Sequence, residues 1–381
     1  MITLTLDRIA HGGHCVARHD GQVVFVRHGI PGETVEARIT GRGKGDRYLF
    51  ADAVTVIDPS PDRVTPDCPV AGECGGCDFQ HITEARQRQL KAQVITEQLA
   101  RLGGVELPVT VQAVPRAEMG WRTRARFVAD RDGRWGLRRH SSHDVVPVES
   151  CPIATTAVND VLMGQAPGAP GDHLLIVDPG EGAQVVGRPA PLVTRRVADR
   201  TFEVPADGFW QVHPGAPEAL LAAVAEHVKG VPAWWDLYYG AGLFAGVLAE
   251  PGQRVAAVEG DRRATEAARR NLADRPGVHV VRSDIGQWLR RTGSRPTTVV
   301  LDPPRSGAGR GVIDGITAST ATTVVHVACD PAALGRDVGR YRAAGWKISG
   351  ITGFDLFPMT HHVEAVAVLT RPAPSGAHVT T

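Results

Sequence analysis

Ala233-Trp-Trp-Asp-Leu-Tyr238-Tyr-Gly240-Ala-Gly242-Leu-Phe244 is the stretch on which the fold turns: a short apolar run that ends in a glycine-rich turn and passes into a new segment. The same grammar repeats along the chain. Val255-Ala-Ala-Val-Glu259, Val278-His-Val-Val281, Thr297-Thr-Val-Val-Leu-Asp302 and Thr322-Thr-Val-Val-His-Val-Ala-Cys329 are apolar runs separated by helical patterns such as residues 262–272, and a further helical pattern over 219–227 precedes them. Short apolar strands alternating with helices predict an α/β unit, a mainly parallel sheet covered on both faces. In such sheets ligands gather beyond the carboxyl ends of the strands. Tyr238, Glu259, Asp284, Asp302 and Cys329 all lie at or just past such ends, so the pattern predicts one site.

Within that site, Gly240 and Gly242 follow the first strand and Glu259 ends the second, about 20 residues on. A backbone that approaches its ligand closely, plus a carboxylate placed for ribose hydroxyls, is a nucleoside-binding arrangement. Ala245 stands where a dinucleotide fingerprint has its third glycine, which favours S-adenosylmethionine over a nicotinamide cofactor without excluding an oxidoreductase. Asp302-Pro303-Pro304-Arg305 gives a rigid, non-helical exit from a strand that either aims the Asp302 carboxylate or merely ends the strand. Cys329 at a strand end is placed for nucleophilic attack, although a buried strand cysteine is the commoner case. Glu364, in Phe354-Asp-Leu-Phe-Pro358-Met-Thr-His-His-Val-Glu364, opens the last strand and is a candidate general base.

The preceding residues read differently. Residues 1–57 hold alternating strands over 22–27, 34–39 and 51–57, punctuated by Pro31-Gly32, and predict a small β-barrel of the oligonucleotide-binding type. Cys68-Pro-Val-Ala-Gly-Glu-Cys74-Gly-Gly-Cys77 is C-x5-C-x2-C; with the distant Cys151 it offers four thiolates to an iron–sulfur cluster or a zinc ion. Three clustered ligands and one remote favour iron–sulfur on spacing. Residues 81–103 carry a helical pattern with Leu90, Val94 and Leu99 on one side and Gly103-Gly104 as the stop. From Arg116 to Arg139 arginines alternate with Trp121, Phe127 and Trp135, which suits either RNA phosphates and bases or the exposed face of an antiparallel sheet. Residues 164–171 read as a loop, and 371–381 as a frayed tail.

The 381 residues suit two or three domains: 1–57, 58–204 and 205–381. A content of 43% hydrophobic and 22% charged residues excludes disordered and collagen-like classes. The balance of 42 basic against 41 acidic residues neither demands nor excludes nucleic acid. With no apolar run of membrane-spanning length and no leader-like start, a cytoplasmic, monomeric protein free of membranes is expected.

At these residues the sequence resembles the RNA uracil-C5 methyltransferase family, the S-adenosylmethionine-dependent enzymes that make 5-methyluridine. His11-Gly-Gly-His-Cys-Val-Ala-Arg18, Asp20-Gly-Gln-Val-Val-Phe-Val26 and Pro31-Gly-Glu-Thr-Val35 look like its N-terminal TRAM barrel. Phe209-Trp-Gln211-Val-His213 resembles its F-x-Q-V-N segment, and Asp236-Leu-Tyr-Tyr-Gly-Ala-Gly-Leu-Phe244 its D-L-Y-C-G-x-G-x-F loop. The cysteine spacing, with Ser142-His-Asp-Val-Val146 ahead of Cys151, is similar to the ribosomal-RNA branch. The resemblance implies a Rossmann-like class I methyltransferase domain behind the TRAM barrel and a central α+β domain holding a 4Fe–4S cluster on Cys68, Cys74, Cys77 and Cys151. It implies a donor site of Gln211, Tyr238, Gly240, Glu259, Asp284 and Asp302, with Cys329 as nucleophile toward uracil C6 and Glu364 as the base. The substrate it implies is RNA, 23S ribosomal RNA ahead of tRNA; a non-catalytic iron–sulfur RNA-binding protein is the other reading. Leu243, His213, Tyr239 and Asp330 depart from the family pattern, the first two and the last from Asn and Tyr239 from Cys.

Overall fold

Alternating burial in the first 58 residues shapes the amino-terminal sheet. The computed structural model describes residues 1–116 and 118–371; the expected tail lies, beyond Arg371, outside the described residues. Strands β1 (Ile2–Thr5), β2 (Arg8–Ile9), β3 (Cys15–His19), β4 (Gln22–Arg27), β5 (Thr34–Arg42) and β6 (Tyr48–Asp58) form one sheet in the order β1-β5-β6-β4-β3-β2. The hydrogen-bonded ladder is open, with β1 and β2 as its two edges. Only Leu6 and Asp7 separate those edges in the chain, so the sheet has to curl until its ends nearly meet. Leu4, Leu6, Ile9, Val24, Val26 and Val35 fill the curl, and the same core continues into Phe79, Ile82, Leu90 and Val94. The sheet is thereby seated on the helix that follows.

That helix, α1 (Glu84–Gln98), is shorter than the 81–103 pattern predicts at its start, and its end widens into a π-helical turn over Leu99–Gly103. Gly104, at φ +63°, ends it. Strand β7 (Val111–Ala113) follows, then β8 (Arg124–Ala129), β9 (Trp135–Arg138), β10 (Val145–Pro147), α2 (Thr156–Met163), β11 (His173–Val177) and β12 (Gln184–Val185), whose strands after β7 make an antiparallel sheet in the order β10-β9-β8-β11-β12. Trp121 and Phe127 are 1% and 0% exposed and pack with Ile153, Val158 and Ile176. These two rings are core, so of the aromatics between Arg116 and Arg139 only Trp135 remains at the surface, half-buried. Burial on the odd positions 125 and 127 leaves Arg124 and Arg126 outward, the ordinary alternation of a one-sided sheet. A hairpin of β13 (Leu192–Val197) and β14 (Arg200–Pro205) precedes the last unit.

The last unit runs α3 (Ala216–Val228), β15 (Ala233–Leu237), α4 (Leu243–Leu248), β16 (Arg254–Glu259), α5 (Arg262–Asn271), β17 (Val278–Arg282), α6 (Ile285–Leu289), β18 (Thr298–Leu301), α7 (Arg310–Ala318), β19 (Thr323–Ala328), α8 (Pro331–Ala343), β20 (Lys347–Asp355) and β21 (Glu364–Thr370). Its sheet has the order β17-β16-β15-β18-β19-β21-β20-β7. The strands β15 to β19 pair in parallel, while β21 runs antiparallel to both neighbours. Helices cover both faces because both are apolar: Trp235, Leu237, Val299 and Leu301 point into one core, Trp234, Val255, Ala257 and Val300 into the other. Each fully buried side chain of this kind contributes about 1.5–3 kcal/mol. The strand order turns back between β15 and β18, which opens a crevice at their carboxyl ends. Two features tie the preceding segment to this sheet. β7 extends it beside β20, and the fully buried Lys91 of α1 donates from Nζ to Asp355 Oδ1 at 2.6 Å and to the Phe357 carbonyl at 3.0 Å. Among the described residues no helix is long and apolar enough to cross a membrane.

Candidate active site

At the crevice, β15 leaves the sheet through Tyr238, whose φ of +62° is unusual for a residue with a bulky side chain. Gly240 follows at φ +56°, and a Cβ built there would meet nothing within 4 Å, so the turn presents bare backbone to open space. Glu259, ending β16, is held by two backbone donors: Gly240 N–H to Oε2 at 3.2 Å and Asp261 N–H to Oε1 at 2.8 Å. Asp284 caps α6 by accepting from Gln287 N–H at 2.8 Å. Burial first, then Asp284, push the Tyr238 phenol up to about 12. Gln211 lies half-buried between β14 and α3, and among the described residues no hydrogen bond or ion pair links its side chain to these acids.

Asp236 also belongs to this group; it opens the D-L-Y loop pattern in the sequence, which by itself gives the residue no role in the site. It is buried at 1% exposure; Oδ2 accepts from Ala245 N–H at 3.0 Å, and Oδ1 finds no partner among the described residues. Burial, with Asp302 and Glu259 adding to it, raises its carboxyl to about 8. Such a group is protonated in the fold and ionised in the unfolded chain above about pH 4. The stability it contributes is therefore complete below about pH 4 and declines as pH rises toward about 8, by at most about 1.4 kcal/mol per unit. Asp236→Asn is expected to unfold at a higher temperature than the wild type, with a gap that widens between about pH 5 and 8. Thermal unfolding at several pH values checks this; a constant gap would contradict a protonated Asp236.

The second half of the site forms where β18 and β19 end. In the antiparallel pair β19–β21, Ala328 faces Ala365, so the next step out sets Cys329 across from Glu364. A parallel strand delivers its last residue and an antiparallel neighbour its first to the same edge, which is how residues 35 positions apart meet. Cys329 is half-buried; burial first, then Glu364 and Asp302, push its thiol up to about 12, against the pull of Arg305. Glu364 is 3% exposed, with Oε1 unpartnered among the described residues, and burial followed by Asp302 lifts its carboxyl well above the usual range. Burial raises the half-buried Asp302 to about 7. Burial thus biases both carboxyls and the thiol of this edge toward their neutral forms, with the Arg305 cation exposed beside them.

Cys329 opens into a cavity whose lining includes Arg305, His362, Lys91, Asp330 and His11. Burial, His361 and Arg305 lower His362 to about 3, so it is a neutral imidazole. Arg305 and His362 lie in stretches the sequence singles out, but only the cavity reveals them as neighbours of the thiol.

Cys68, Cys74, Cys77 and Cys151, apart by up to 83 positions in the chain, line one pocket with Val70 and Leu137, and none is in a disulfide. Gly76 N–H donates to Cys74 Sγ at 3.3 Å, and Asn159 Oδ1 accepts from Cys151 N–H at 2.8 Å. Burial raises both Cys74 and Cys77, the latter to about 12, with neighbouring thiols adding and Arg122 opposing. The four expected ligands thus line one pocket, but among the described residues no three His, Cys, Asp or Glu side chains are grouped to hold a metal ion. In kind, four thiols at an apolar pocket with a backbone donor on sulfur fit a thiolate-held group.

Known proteins share this arrangement of parts. Residues 1–54 match the family described as TRAM domain, and residues 292–372 match the family described as tRNA (Uracil-5-)-methyltransferase. An uncharacterized RNA methyltransferase of Streptomyces avermitilis is 42% identical over 97% of this chain and 97% of its own length. One of Bifidobacterium longum is 35% identical over 96% of each. The crystal structure of Pyrococcus abyssi tRNA (uracil-54, C5)-methyltransferase in complex with S-adenosyl-L-homocysteine superposes with a TM-score of 0.75, covering 96% of this chain and 99% of that one at 22% identity; it shows the shared fold.

Proposed function

Because this chain belongs to the RNA uracil-5-methyltransferase family, we propose that it forms 5-methyluridine in RNA with S-adenosylmethionine as methyl donor. The observation that carries the reading is Cys329 facing Glu364 across adjacent strand ends, with Asp302 and Arg305 beside them. The open backbone at Gly240 and the unpartnered Asp236 Oδ1 suit a donor held by Gln211, Tyr238, Gly240, Glu259, Asp284 and Asp302. Bound there, S-adenosylmethionine supplies an electrophilic methyl group next to a positive sulfur.

Uracil C5 is a weak nucleophile, and the residues at this edge answer that. In the form that reacts, Cys329 and Glu364 have both released their protons to solvent; the Cys329 thiolate bonds through Sγ to C6, sending the C5=C6 pair to C5 and O4. Arg305, an exposed cation near the thiol, favours the charge that develops. C5 takes the methyl group and keeps its hydrogen. Glu364 then accepts that proton, the C5=C6 bond re-forms, and the C6–S bond breaks to return the thiolate. A carboxylate in an apolar, acid-flanked site is a stronger base than an ordinary one, which suits the task. Both faces of the ring are engaged, so the target uridine must be unpaired or flipped. Residues 1–57 serve as the RNA-binding module, 58–204 as the cysteine-bearing middle and 205–381 as the methyltransferase unit.

Cys68, Cys74, Cys77 and Cys151 would hold a 4Fe–4S cluster, and with it ribosomal RNA is the favoured substrate. Protein purified without air is expected to contain iron and acid-labile sulfide, both lost in Cys77→Ser; zinc without sulfide would overturn the assignment. Mapping 5-methyluridine separately in ribosomal and transfer RNA, from cells with and without the gene, tests the function and the RNA class together. If no 5-methyluridine disappears from either, the reading fails.

A further inference from the structure

The cavity at Cys329 has a wall that comes from the opposite end of the chain. Ile9, Ala10, His11, Gly12 and Gly13, the end of β2 and the turn after it, line it together with Cys329. Two contacts fix this turn against the catalytic edge. His11 Nε2 lies 2.9 Å from Asp330 Oδ2, and Asp330 directly follows Cys329. The other oxygen of Asp330 caps α8 by accepting from Ala333 N–H at 2.7 Å, so the carboxylate His11 meets is itself immobilised. Two residues on, Gly13 stands at φ +82°, and a Cβ built there would lie 2.7 Å from His361 Cβ. Only glycine lets the turn come this close. The base of the turn is fixed as well: Arg8 donates to both oxygens of Glu97 at 2.9 Å, and Ile9 belongs to the core shared with α1.

We propose that residues 9–13 form a wall of the base pocket, and that His11, acting through Asp330, is a positioning residue that holds this wall against the strand end bearing Cys329. The amino-terminal module then does more than bind RNA at a distance: it completes the chamber that the flipped pyrimidine enters. The proposal rests on Cys329 as the reacting thiol. Asp330, where the family pattern has Asn, is the anionic partner that makes a histidine at position 11 useful.

The test compares full-length wild type, His11→Ala and His11→Gln, the last retaining a side-chain donor of similar reach. His11 is 40% exposed in its side chain, so its loss leaves the core intact. Four quantities are measured: the rate of Cys329 alkylation by iodoacetamide, read from the Cys329 peptide; kcat and KM for methyl transfer to an RNA substrate; and S-adenosylmethionine binding. For a half-exposed pair, His11→Ala is expected to speed alkylation up to about fivefold and lower kcat by a similar factor. Donor binding stays unchanged, and His11→Gln restores both rates. Gly13→Ala, pushing the turn off His361, should act in the same direction. Unchanged alkylation and kcat in His11→Ala would overturn the proposal, as would a raised KM with unaltered kcat, or failure of His11→Gln to rescue. Alkylation does not depend on what Cys329 does to RNA. A wall that responds while Cys329→Ala still methylates would therefore sink only the proposed chemistry.

Discussion

Cys329→Ala is expected to bind S-adenosylmethionine as the wild type does and to lose methyl transfer to RNA by about 10⁴-fold or more, the usual consequence of removing a covalent nucleophile. The separation of the two effects follows from the geometry. Cys329 directly follows β19, whereas Tyr238, Gly240, Glu259, Asp284 and Asp302, assigned to the donor, lie at or just past the ends of β15, β16, β17 and β18, with only Asp302 adjoining both groups. Cys329→Ser should be nearly as inactive, because a hydroxyl is harder to ionise than a thiol already pushed up to about 12 by burial and by Glu364. Calorimetric titration with the donor and transfer of labelled methyl to RNA check this. An alanine variant that still makes 5-methyluridine would mean that C5 is activated without a sulfur bond.

Glu364→Gln should behave differently, adding to RNA and then failing to let go. The wild-type side chain is buried and already largely protonated at rest, so a neutral amide of the same shape keeps the pocket intact and does not weaken the fold. Adduct formation survives, while removal of the C5 proton slows by about 10²–10⁴-fold. Enzyme incubated with RNA and donor should therefore accumulate a complex that resists denaturant and disappears on RNA digestion. Fast turnover with no such complex would assign the base elsewhere. The wild-type pH profile follows from the same shifts, with the sign set by which form works. Glu364 must be ionised to accept a proton and Cys329 must be ionised to attack, and both are raised. The rate of methylation is expected to climb with pH from about 6 toward 9, with no descending limb on the alkaline side of this interval; a profile that falls over it would contradict these roles.

Much of the catalytic sheet is legible because its strands are apolar throughout and end in polar residues. All five residues of β15 are buried, and such a run has no alternative as a surface strand. Tyr238, Glu259, Asp284, Asp302 and Cys329 then fall into place from strand polarity alone. The arginine-rich stretch shows the opposite case. Trp121 and Phe127 look like stacking rings in sequence, yet both are core, because aromatic residues serve cores and nucleic-acid faces equally well and only burial separates the two. The cysteines stand between these cases: proximity of Cys68, Cys74 and Cys77 is local, whereas the return of Cys151 to the same pocket depends on the path of the intervening sheet.

What the chain determined by itself was every choice made within one strand or turn: the apolar runs, their polar endings and the glycines that free the backbone at 240 and 242. These depend on burial and steric rules acting over a few residues. The tertiary structure alone decided that Glu364 faces Cys329, since that requires β21 to insert antiparallel beside β19, and that His11 reaches Asp330 across 319 positions. The difference is physical. Periodicity records which side of an element is dry, but a pair of side chains meeting at a strand edge is set by sheet order and docking, to which residues from every part of the chain contribute at once.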